Sequence, residues 1–244
     1  MAEITPTLRA ELVPTGTLRV GINMSNFLLT ATDPATGKPR GVAVDLGQEI
    51  GRRLGVPVEI LPYPNPGALA DAVTSGAWDV GFLGAEPQRA NQIAFTAAYV
   101  EIEATYLVPP GSPLKSVAEV DRKGIRIAVP EKSAYELYLT RSLQHAELKR
   151  TKGADNAFRL FVDEKLDALA GLKPRLVTDA EKLPGSRIVD GRFTAVQQAI
   201  GTPKARAAGA QFLSAFAEDV KASGLIAQLI ETHGVRGLTV AAAA

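Results

Sequence analysis

Short apolar, β-branched runs alternate with longer segments of helical periodicity along most of the chain. The apolar runs predict strands over Leu18–Ile22, Val56–Leu61, Val80–Leu83, Tyr106–Val108, Ile125–Val129, Ala168–Leu172 and Ala195–Ile200. The segments between them predict helices over Val44–Leu54, Ala68–Thr74, Val117–Asp121, Ala134–Gln144, Asn156–Glu164, Lys204–Ala222 and Leu225–Thr232. This alternation is typical of an α/β fold whose mostly parallel sheets carry helices on both faces.

The strand predicted over Val80–Leu83 is followed by a loop that carries Arg89. In open α/β sheets, ligands bind in the crevice outside the carboxyl ends of the strands, where such a loop lies. A guanidinium there suits a carboxylate, because its planar fork can donate two parallel charge-assisted hydrogen bonds. A surface arginine paired with Glu86 explains the loop equally well, so both interpretations stay open at this point.

The composition excludes several classes of function. The chain has 244 residues, of which 46% are hydrophobic and 22% charged, an ordinary globular balance for one large domain or two lobes. A net charge of +1 provides no field for nucleic acid or an anionic membrane, and no apolar run is long enough for membrane insertion. The chain has no cysteine, and its two histidines, His145 and His233, are far apart. We therefore expect no metal site and no cofactor.

Seven segments, taken in their order and spacing, carry a resemblance to a known family. They are Leu18–Asn23, Gly41–Gly55, Ala77–Val80, Gly84–Tyr99, Gly124–Val129, Lys165–Ala170 and Val220–Ile230. Together they resemble the extracellular solute-binding proteins of the amino-acid type (family 3), which are the binding components of ABC importers. The resemblance implies a two-lobed periplasmic-binding-protein type II fold with mixed, mostly parallel sheets and a two-strand hinge.

The same resemblance implies the lobe boundaries. Lobe one would comprise residues 1–101 plus 197–244, and lobe two residues 102–196 with the hinge strands. The chain would cross between the lobes at Tyr99–Tyr106 and again at Arg192–Val196. Two such crossings make a hinge, so we expect a ligand to bind in the interlobe cleft and to close it.

In lobe one the resemblance assigns ligand-binding roles to four residues and puts a fifth in question. Arg89 matches the arginine that pairs with the ligand's α-carboxylate, supported by backbone N–H groups around Gly84, where the backbone approaches closely. Phe27 matches an aromatic that packs on the ligand side chain, and Asn23 could bond its polar end. Glu86 stands where the family has a hydroxyl residue. Its carboxylate could orient Arg89, compete with the ligand, or bind a ligand amine.

In lobe two the chain departs from the family pattern. Ser133 is a natural helix N-cap and can keep the carboxylate contact of the family's Gly-Thr pair, whereas Lys132 adds a cation that suits a second acidic group or is simply solvated. Leu172 stands where amino-acid binders have the aspartate that holds the ligand's ammonium. A buried unpaired ammonium costs several kcal/mol, so Leu172 disfavours ordinary α-amino acids unless Asp155 or Glu86 supplies the charge.

Two charged residues flank the strand that ends at Leu172. Lys173 follows it directly and favours an acidic ligand over a zwitterion. Asp167 precedes the strand, and we expect it to order the start of the strand rather than to touch the ligand.

These features predict a solute-binding protein that captures a small carboxylate-bearing ligand, an amino acid or a related organic acid, for ABC-type import. The partner would be an ABC permease, and a monomer is expected. The alternatives are an enzyme of the same fold, similar to cyclohexadienyl dehydratases, or a cytoplasmic ligand sensor. Glu86, Glu131, Lys132 and Lys173 would then be the candidates for acid–base work. Residues 1–6 lack the basic start and apolar core of a signal peptide. We expect a periplasmic protein if a signal peptide was removed and allow a cytoplasmic one otherwise.

Overall fold

The computed structural model describes residues 4–244. Its α-helices are α1 (Pro6–Leu12), α2 (Val42–Leu54), α3 (Pro66–Asp71), α4 (Ala134–Ser142), α5 (Ala154–Asp163), α6 (Lys173–Lys182), α7 (Ala207–Ala222) and α8 (Leu225–Thr232). Its strands are β1 (Leu18–Asn23), β2 (Ala31–Thr32), β3 (Pro39–Arg40), β4 (Val58–Tyr63), β5 (Val80–Gly84), β6 (Ile93–Phe95), β7 (Val100–Val108), β8 (Arg126–Pro130), β9 (Glu147–Thr151), β10 (Ala168–Leu172), β11 (Arg187–Ile188), β12 (Thr194–Pro203) and β13 (Thr239–Val240). Short 3₁₀ helices span Ala72–Ser75, Arg89–Asn91 and Val117–Glu119.

The chain forms two compact units. Unit 1 comprises the chain up to Glu101 together with Gln197–Ala244, and unit 2 comprises Ile102–Val196. The chain passes from one unit to the other within β7 and returns within β12.

In unit 1 the sheet is built around β1. This strand pairs in parallel with β4 on one side and with β5 on the other, and β12 runs antiparallel to β5. Because β1, β4 and β5 run in the same direction, their carboxyl ends at Asn23, Tyr63 and Gly84 lie at one edge of the sheet. Helix α2 buries an apolar stripe against this sheet and is followed by Gly55, whose φ of 66° provides the left-handed C-cap that glycine favours.

In unit 2 the sheet is built around β10. This strand runs parallel to β8 and antiparallel to β7, and β9 extends the sheet in parallel beyond β8. Successive residues of the strands enter different apolar clusters, with Ile127 on one face beside Leu139 of α4, and Ala128 on the other beside Phe161 of α5. Burial on both faces explains why the parallel strands β8 and β10 read as continuous apolar runs.

The structure confirms all seven predicted strands, with shifted ends, and most of the predicted helices. The helix predicted over Val117–Asp121 is wrong, because only a 3₁₀ turn forms at Val117–Glu119. Strand β9 and helix α6 are the longest strand and the longest helix that are absent from the prediction. The first is a polar edge strand, Glu147–Thr151, without alternation, and the second begins at Lys173 with a proline in its first turn. Within the described residues, no helix has the length and apolar character to cross a bilayer.

Candidate functional site

Arg89 lies just beyond the carboxyl end of β5, at the first position of a 3₁₀ helix. Only 7% of its surface is exposed, so it is a buried arginine and not a surface one. Its Nη1 donates a hydrogen bond of 2.7 Å to the carbonyl oxygen of Gly84, the last residue of β5. The strand end thereby fixes a buried guanidinium at the sheet edge. Buried arginine is the side chain best suited to bind carboxylate bidentately.

Part of the backbone beside Gly84 is already hydrogen-bonded to β12. Gly84 lies opposite Gln198 of β12, and the Ala85 N–H donates to the carbonyl oxygen of Gln197 over 2.7 Å. The prediction that backbone N–H groups around Gly84 support a ligand carboxylate therefore does not extend to the Ala85 N–H.

Glu86 lies in the same segment, and it is as buried as the arginine. Its exposed fraction is 9%, and its carbonyl oxygen accepts the Ala90 N–H over 3.0 Å, which closes the turn that carries Arg89. One short segment of unit 1 thus holds a buried carboxylate and a buried guanidinium. Such a pair of opposite charges is the kind of group that recognises a polar or zwitterionic ligand.

The loop after β1 places Asn23 and Phe27 at the same edge of unit 1. In the register of the sheet, Ile22 lies beside Phe82, so Asn23 and the end of β5 are neighbours. The Asn23 Oδ1 accepts hydrogen bonds from the N–H and the hydroxyl of Ser25 at 3.1 and 2.7 Å, so this oxygen orders the loop. Phe27 is 47% exposed, which leaves its ring available for contact.

In unit 2, Ser133 is the N-cap of α4, as the sequence predicts. Its hydroxyl accepts the Glu136 N–H over 3.1 Å and donates to the Pro130 carbonyl oxygen over 2.9 Å. Both bonds are structural, so the hydroxyl proton is already used within the turn. The preceding Lys132 is exposed and has a φ of 57°, and its N–H donates to Glu136 Oε2 over 3.1 Å.

A buried carboxylate lies directly behind this turn. Glu136 accepts hydrogen bonds from Arg150 Nε at 2.8 Å and from the Thr140 hydroxyl at 2.7 Å. Sequence reasoning did not identify this group. Its negative charge lies in the first turn of α4, where it interacts favourably with the positive end of the helix dipole.

Leu172 ends β10 and is brought to the same turn. In the parallel register of β8 and β10, Ala168 lies beside Ile127, which places Leu172 level with the residues just after Pro130. Leu172 packs in an apolar cluster with Ala134 and Tyr135 of α4, and burial raises the pKa of the Tyr135 hydroxyl to about 12. In unit 2 the Ser133 turn therefore lies beside the apolar end of β10.

Asp155 is hydrogen-bonded to an arginine of α6. Its Oδ1 accepts a 2.6 Å hydrogen bond from Arg175 Nη2, and this bond holds the pKa of the Asp155 carboxyl below its usual value. Arg175 also donates from Nε to the buried Asp179 over 2.9 Å. Asp155 thus serves an ion-pair network between α5 and α6.

Lys173 and Glu103 form a second ion pair beside Leu172. Their Nζ and Oε2 atoms are 2.9 Å apart, and Arg192 Nη1 lies 3.4 Å from the other oxygen of Glu103. The hydrogen bond from Lys173 lowers the pKa of Glu103. Sequence reasoning missed Glu103 and Arg175 as partners. Proline at the start of α6 could have indicated that helix and its Arg175–Asp179 spacing, but nothing local in sequence points to Glu103.

Among residues 4–244, no group of three or more histidine, aspartate or glutamate side chains is arranged to hold a metal ion. Residues 18–235 match the family described as "Bacterial extracellular solute-binding proteins, family 3". No curated protein sequence matches the chain.

Several solved structures are similar to this chain. A mutant of ArgBP from T. maritima is 23% identical with a TM-score of 0.75, and the match covers 92% of this chain and 98% of that one. The ancestral amino acid-binding protein AncCDT-1, a precursor of cyclohexadienyl dehydratase, is 23% identical with a TM-score of 0.74 and coverages of 93% and 98%. The substrate binding protein of an amino acid ABC transporter is 18% identical with a TM-score of 0.73 and coverages of 89% and 98%. At these identities the likeness establishes a shared fold, which confirms the predicted periplasmic-binding-protein type II class.

Proposed function

The chain belongs to the bacterial extracellular solute-binding proteins of family 3, and on that premise we propose that it captures a small carboxylate-bearing ligand, an amino acid or a related organic acid. The observation that carries this proposal is the buried Arg89, which the carbonyl oxygen of Gly84 fixes at the carboxyl edge of the unit 1 sheet. A buried guanidinium with fixed orientation is preorganised for a carboxylate and loses little freedom on binding.

We propose further candidate ligand contacts in each unit taken by itself. In unit 1 they are Asn23, Phe27, Gly84 and Glu86, which share the sheet edge or the loops that follow it. In unit 2 they are Lys132, Ser133, Asp155 and Leu172. The Phe27 ring would cover the apolar part of the ligand. Ser133 and Asp155 are already hydrogen-bonded to Pro130 and Arg175. We therefore propose that they position neighbouring groups more than they hold the ligand.

The first test is a thermal-shift screen against amino acids, keto acids, dicarboxylates and aromatic acids. A ligand that binds only the folded state stabilises it by about 2.7 kcal/mol at a hundredfold excess over its Kd. Isothermal titration calorimetry then gives the Kd of each hit. We expect hits among carboxylates and none among their amides, because an amide lacks the charge that Arg89 recognises.

Arg89→Ala is the decisive variant. We expect it to weaken the hit by about 2–5 kcal/mol, which is roughly thirtyfold or more in Kd, because the ligand carboxylate loses its buried charged partner. Arg52→Ala is the matched control, since its side chain is 71% exposed on α2. Circular dichroism confirms that both variants are folded. A folded Arg89→Ala protein that binds the ligand with unchanged Kd would contradict the proposal.

We further propose that the chain delivers its ligand to an ABC permease outside the cytoplasmic membrane, in the periplasm, and that it acts as a monomer. The family description as extracellular supports the location, and the similar substrate binding protein of an amino acid ABC transporter supports the partner. Ligand uptake by cells that express the permease, with and without this chain, tests the partner, and sedimentation velocity tests the monomer.

Binding without chemistry is the proposed activity, and catalysis is the second candidate. One structural neighbour is described as a precursor of cyclohexadienyl dehydratase, and Glu86 is a buried carboxylate beside the proposed site. A dehydratase would need such a group as acid or base. Mass spectrometry of the ligand after prolonged incubation decides between the two candidates. Recovery of unchanged ligand supports binding, and loss of water from it supports the enzyme.

A further inference from the structure

Strand β9 forms an open edge of the unit 2 sheet. Among residues 4–244 it is paired with β8 alone, as the last strand on that side. The Glu147 N–H donates to the Ile125 carbonyl oxygen over 2.8 Å, so Glu147 directs its backbone towards β8. In a strand pair, only every second residue faces the neighbouring strand in this way. The N–H and C=O groups of Leu148 and Arg150 therefore point away from β8, to the open edge.

The edge strand of unit 1 differs, because a proline closes it. Within the described part of the chain, β4 pairs with β1 alone. The Met24 N–H donates to the Tyr63 carbonyl oxygen over 2.9 Å, so Tyr63 faces β1 and the preceding Pro62 faces outward. Proline has no N–H to offer an added strand and is a common means of protecting an edge. Strand β9 has no proline, so its edge keeps all of its hydrogen-bonding groups.

The open edge carries more positive than negative charge. Lys149, Arg150 and Lys152 provide three cations against the one carboxylate of Glu147. Glu147 pairs with Lys149 over 2.6 Å. Arg150 bonds the buried Glu136 but keeps 43% of its side chain exposed, and Lys152 is exposed. Acidic side chains on a strand added along this edge would therefore lie beside opposite charges.

A second copy of this chain fits the edge poorly. Two copies related by a two-fold axis would pair their β9 strands antiparallel. To use all four outward N–H and C=O groups, Leu148 of each copy must lie opposite Arg150 of the other. That register places the two copies of Lys149 directly opposite each other, and like charges in that position destabilise a strand pair. An acidic segment meets no such repulsion.

From these observations we propose that the β9 edge binds an extended, acidic segment of a partner protein, which adds a strand to the unit 2 sheet. The added strand bonds the backbone of Leu148 and Arg150, and its aspartate or glutamate side chains lie beside Arg150 and Lys152. Backbone hydrogen bonds give strand addition its affinity, and side-chain pairs give it specificity. The inference is independent of the proposed ligand binding, because it uses unit 2 alone and none of the proposed ligand contacts.

The test is fluorescence anisotropy of a labelled seven-residue peptide of alternating glutamate and valine, titrated with the whole native protein. We expect saturable binding at protein concentrations up to about 1 mM, weakened by added salt. A peptide with lysine in place of glutamate has the same spacing and the opposite charge, and we expect it not to bind. Absence of binding by the acidic peptide, or equal binding of the two peptides, would overturn the inference.

Two N-methylated forms of the acidic peptide separate strand addition from adsorption by charge. One form is methylated on its glutamate amides and the other on its valine amides, so both keep the full negative charge. Because only alternate amides of an added strand face its neighbour, we expect one form to bind like the parent peptide and the other at least about tenfold more weakly. Equal affinities of the two forms would contradict strand addition.

A charge reversal in the protein tests the acidic preference. We expect Lys152→Glu to weaken binding of the acidic peptide by about threefold or more, because an attraction becomes a repulsion. Lys38→Glu is the matched control, since Lys38 is exposed in unit 1 and its replacement changes the net charge by the same amount. Circular dichroism confirms that both variants are folded. Equal weakening by both would show that net charge is recognised and not the β9 edge.

Hydrogen–deuterium exchange of the native protein locates the peptide without any variant. We expect slower exchange at the amides of Leu148 and Arg150 when the acidic peptide is bound, because both N–H groups are then hydrogen-bonded. Slower exchange only in other segments would overturn the inference. Protection of these two amides at high protein concentration without peptide would identify a second copy as the occupant and would likewise overturn it.

Discussion

The two units contain the same arginine–aspartate motif in two different environments. In unit 1, Arg19 of β1 donates its N–H and its Nε to Asp79 Oδ2 at 3.1 and 2.9 Å. In unit 2, Arg126 of β8 donates its N–H and its Nε to Asp167 Oδ2 at 2.8 and 3.4 Å. In each case the aspartate directly precedes the neighbouring parallel strand, and its own N–H donates back to the carbonyl oxygen of the arginine.

The surroundings of the two motifs differ sharply. The Asp79 side chain is fully buried and has a second cation, Arg206, whose Nη1 lies 2.7 Å from Oδ1. The Asp167 side chain is 35% exposed and its arginine 40% exposed. The comparison shows that one local motif can begin a pair of parallel strands in either environment. We expect its contribution to stability to be larger where it is buried.

The residues next to each aspartate differ in a compensating way. In unit 1, Trp78 covers two glycines, Gly21 of β1 and Gly81 of β5, and a β-carbon on Gly81 would lie 3.2 Å from its ring. In unit 2, the corresponding residue before the aspartate is Leu166, and it packs in one cluster with Ala128 and Leu169. A large side chain thus lies over glycines in unit 1, and a smaller one packs with alanine and leucine in unit 2.

The largest effect should come from removing the buried charge. We expect Asp79→Asn to lower the free energy of unfolding by about 3–5 kcal/mol, because Arg19 and Arg206 are left without their counter-charge. Urea denaturation followed by circular dichroism measures this loss. The matched control is Asp167→Asn, which we expect to cost about 0–1 kcal/mol since its pair is solvated. Equal losses for the two variants would show that burial does not distinguish the two motifs.

A smaller effect should come from the packing difference. A β-carbon at Gly21 would lie 2.5 Å from Leu69 Cδ1 and 3.3 Å from Trp78. We therefore expect Gly21→Ala to destabilise the protein by about 1–3 kcal/mol, the usual cost of overpacking. Thermal and urea unfolding measure it. Trp78→Leu has its own cost, because it removes a buried ring that donates to the Leu69 carbonyl oxygen. We expect Gly21→Ala to cost less in a Trp78→Leu background than in the native protein. An equal cost in both backgrounds would mean that Leu69 alone rejects the methyl group.

The smallest effect should come from removing the charge of Glu49. Glu49 on α2 belongs to unit 1 and accepts hydrogen bonds from the exposed Arg52 and the largely buried Arg53, which lower the pKa of the Glu49 carboxyl to about 2. Because the folded pKa lies below the ordinary value of 4.5, this contribution is present above about pH 4.5 and is lost as the pH falls towards about 2.

We accordingly expect Glu49→Gln to cost about 1 kcal/mol at pH 7 and progressively less as the pH falls through about 2. Urea titrations at several pH values measure the difference from the native protein. A loss at pH 7 as large as that of Asp79→Asn would show that membership of unit 1, and not burial, controls these charges.

Much of the fold could be predicted from local pattern. The strands around Val80–Leu83 and Ala168–Leu172, the Gly55 cap and the Ser133 cap were recognisable because each depends on a few adjacent residues. The edge strand Glu147–Thr151 was not, because it is polar and gains its conformation only from pairing with β8.

The candidate site likewise has features that the sequence predicts and features that depend on the tertiary structure. By itself, the sequence determined the residue types at the strand ends: an arginine after β5, a serine before α4, and a leucine where an acidic residue was expected. Only the tertiary structure decided that Arg89 is buried, that Glu103 faces Lys173, and that Asp155 is held by Arg175. The reason is physical. Capping and strand formation depend on near neighbours in the chain, whereas burial and ion pairing depend on which distant segments the sheet brings together.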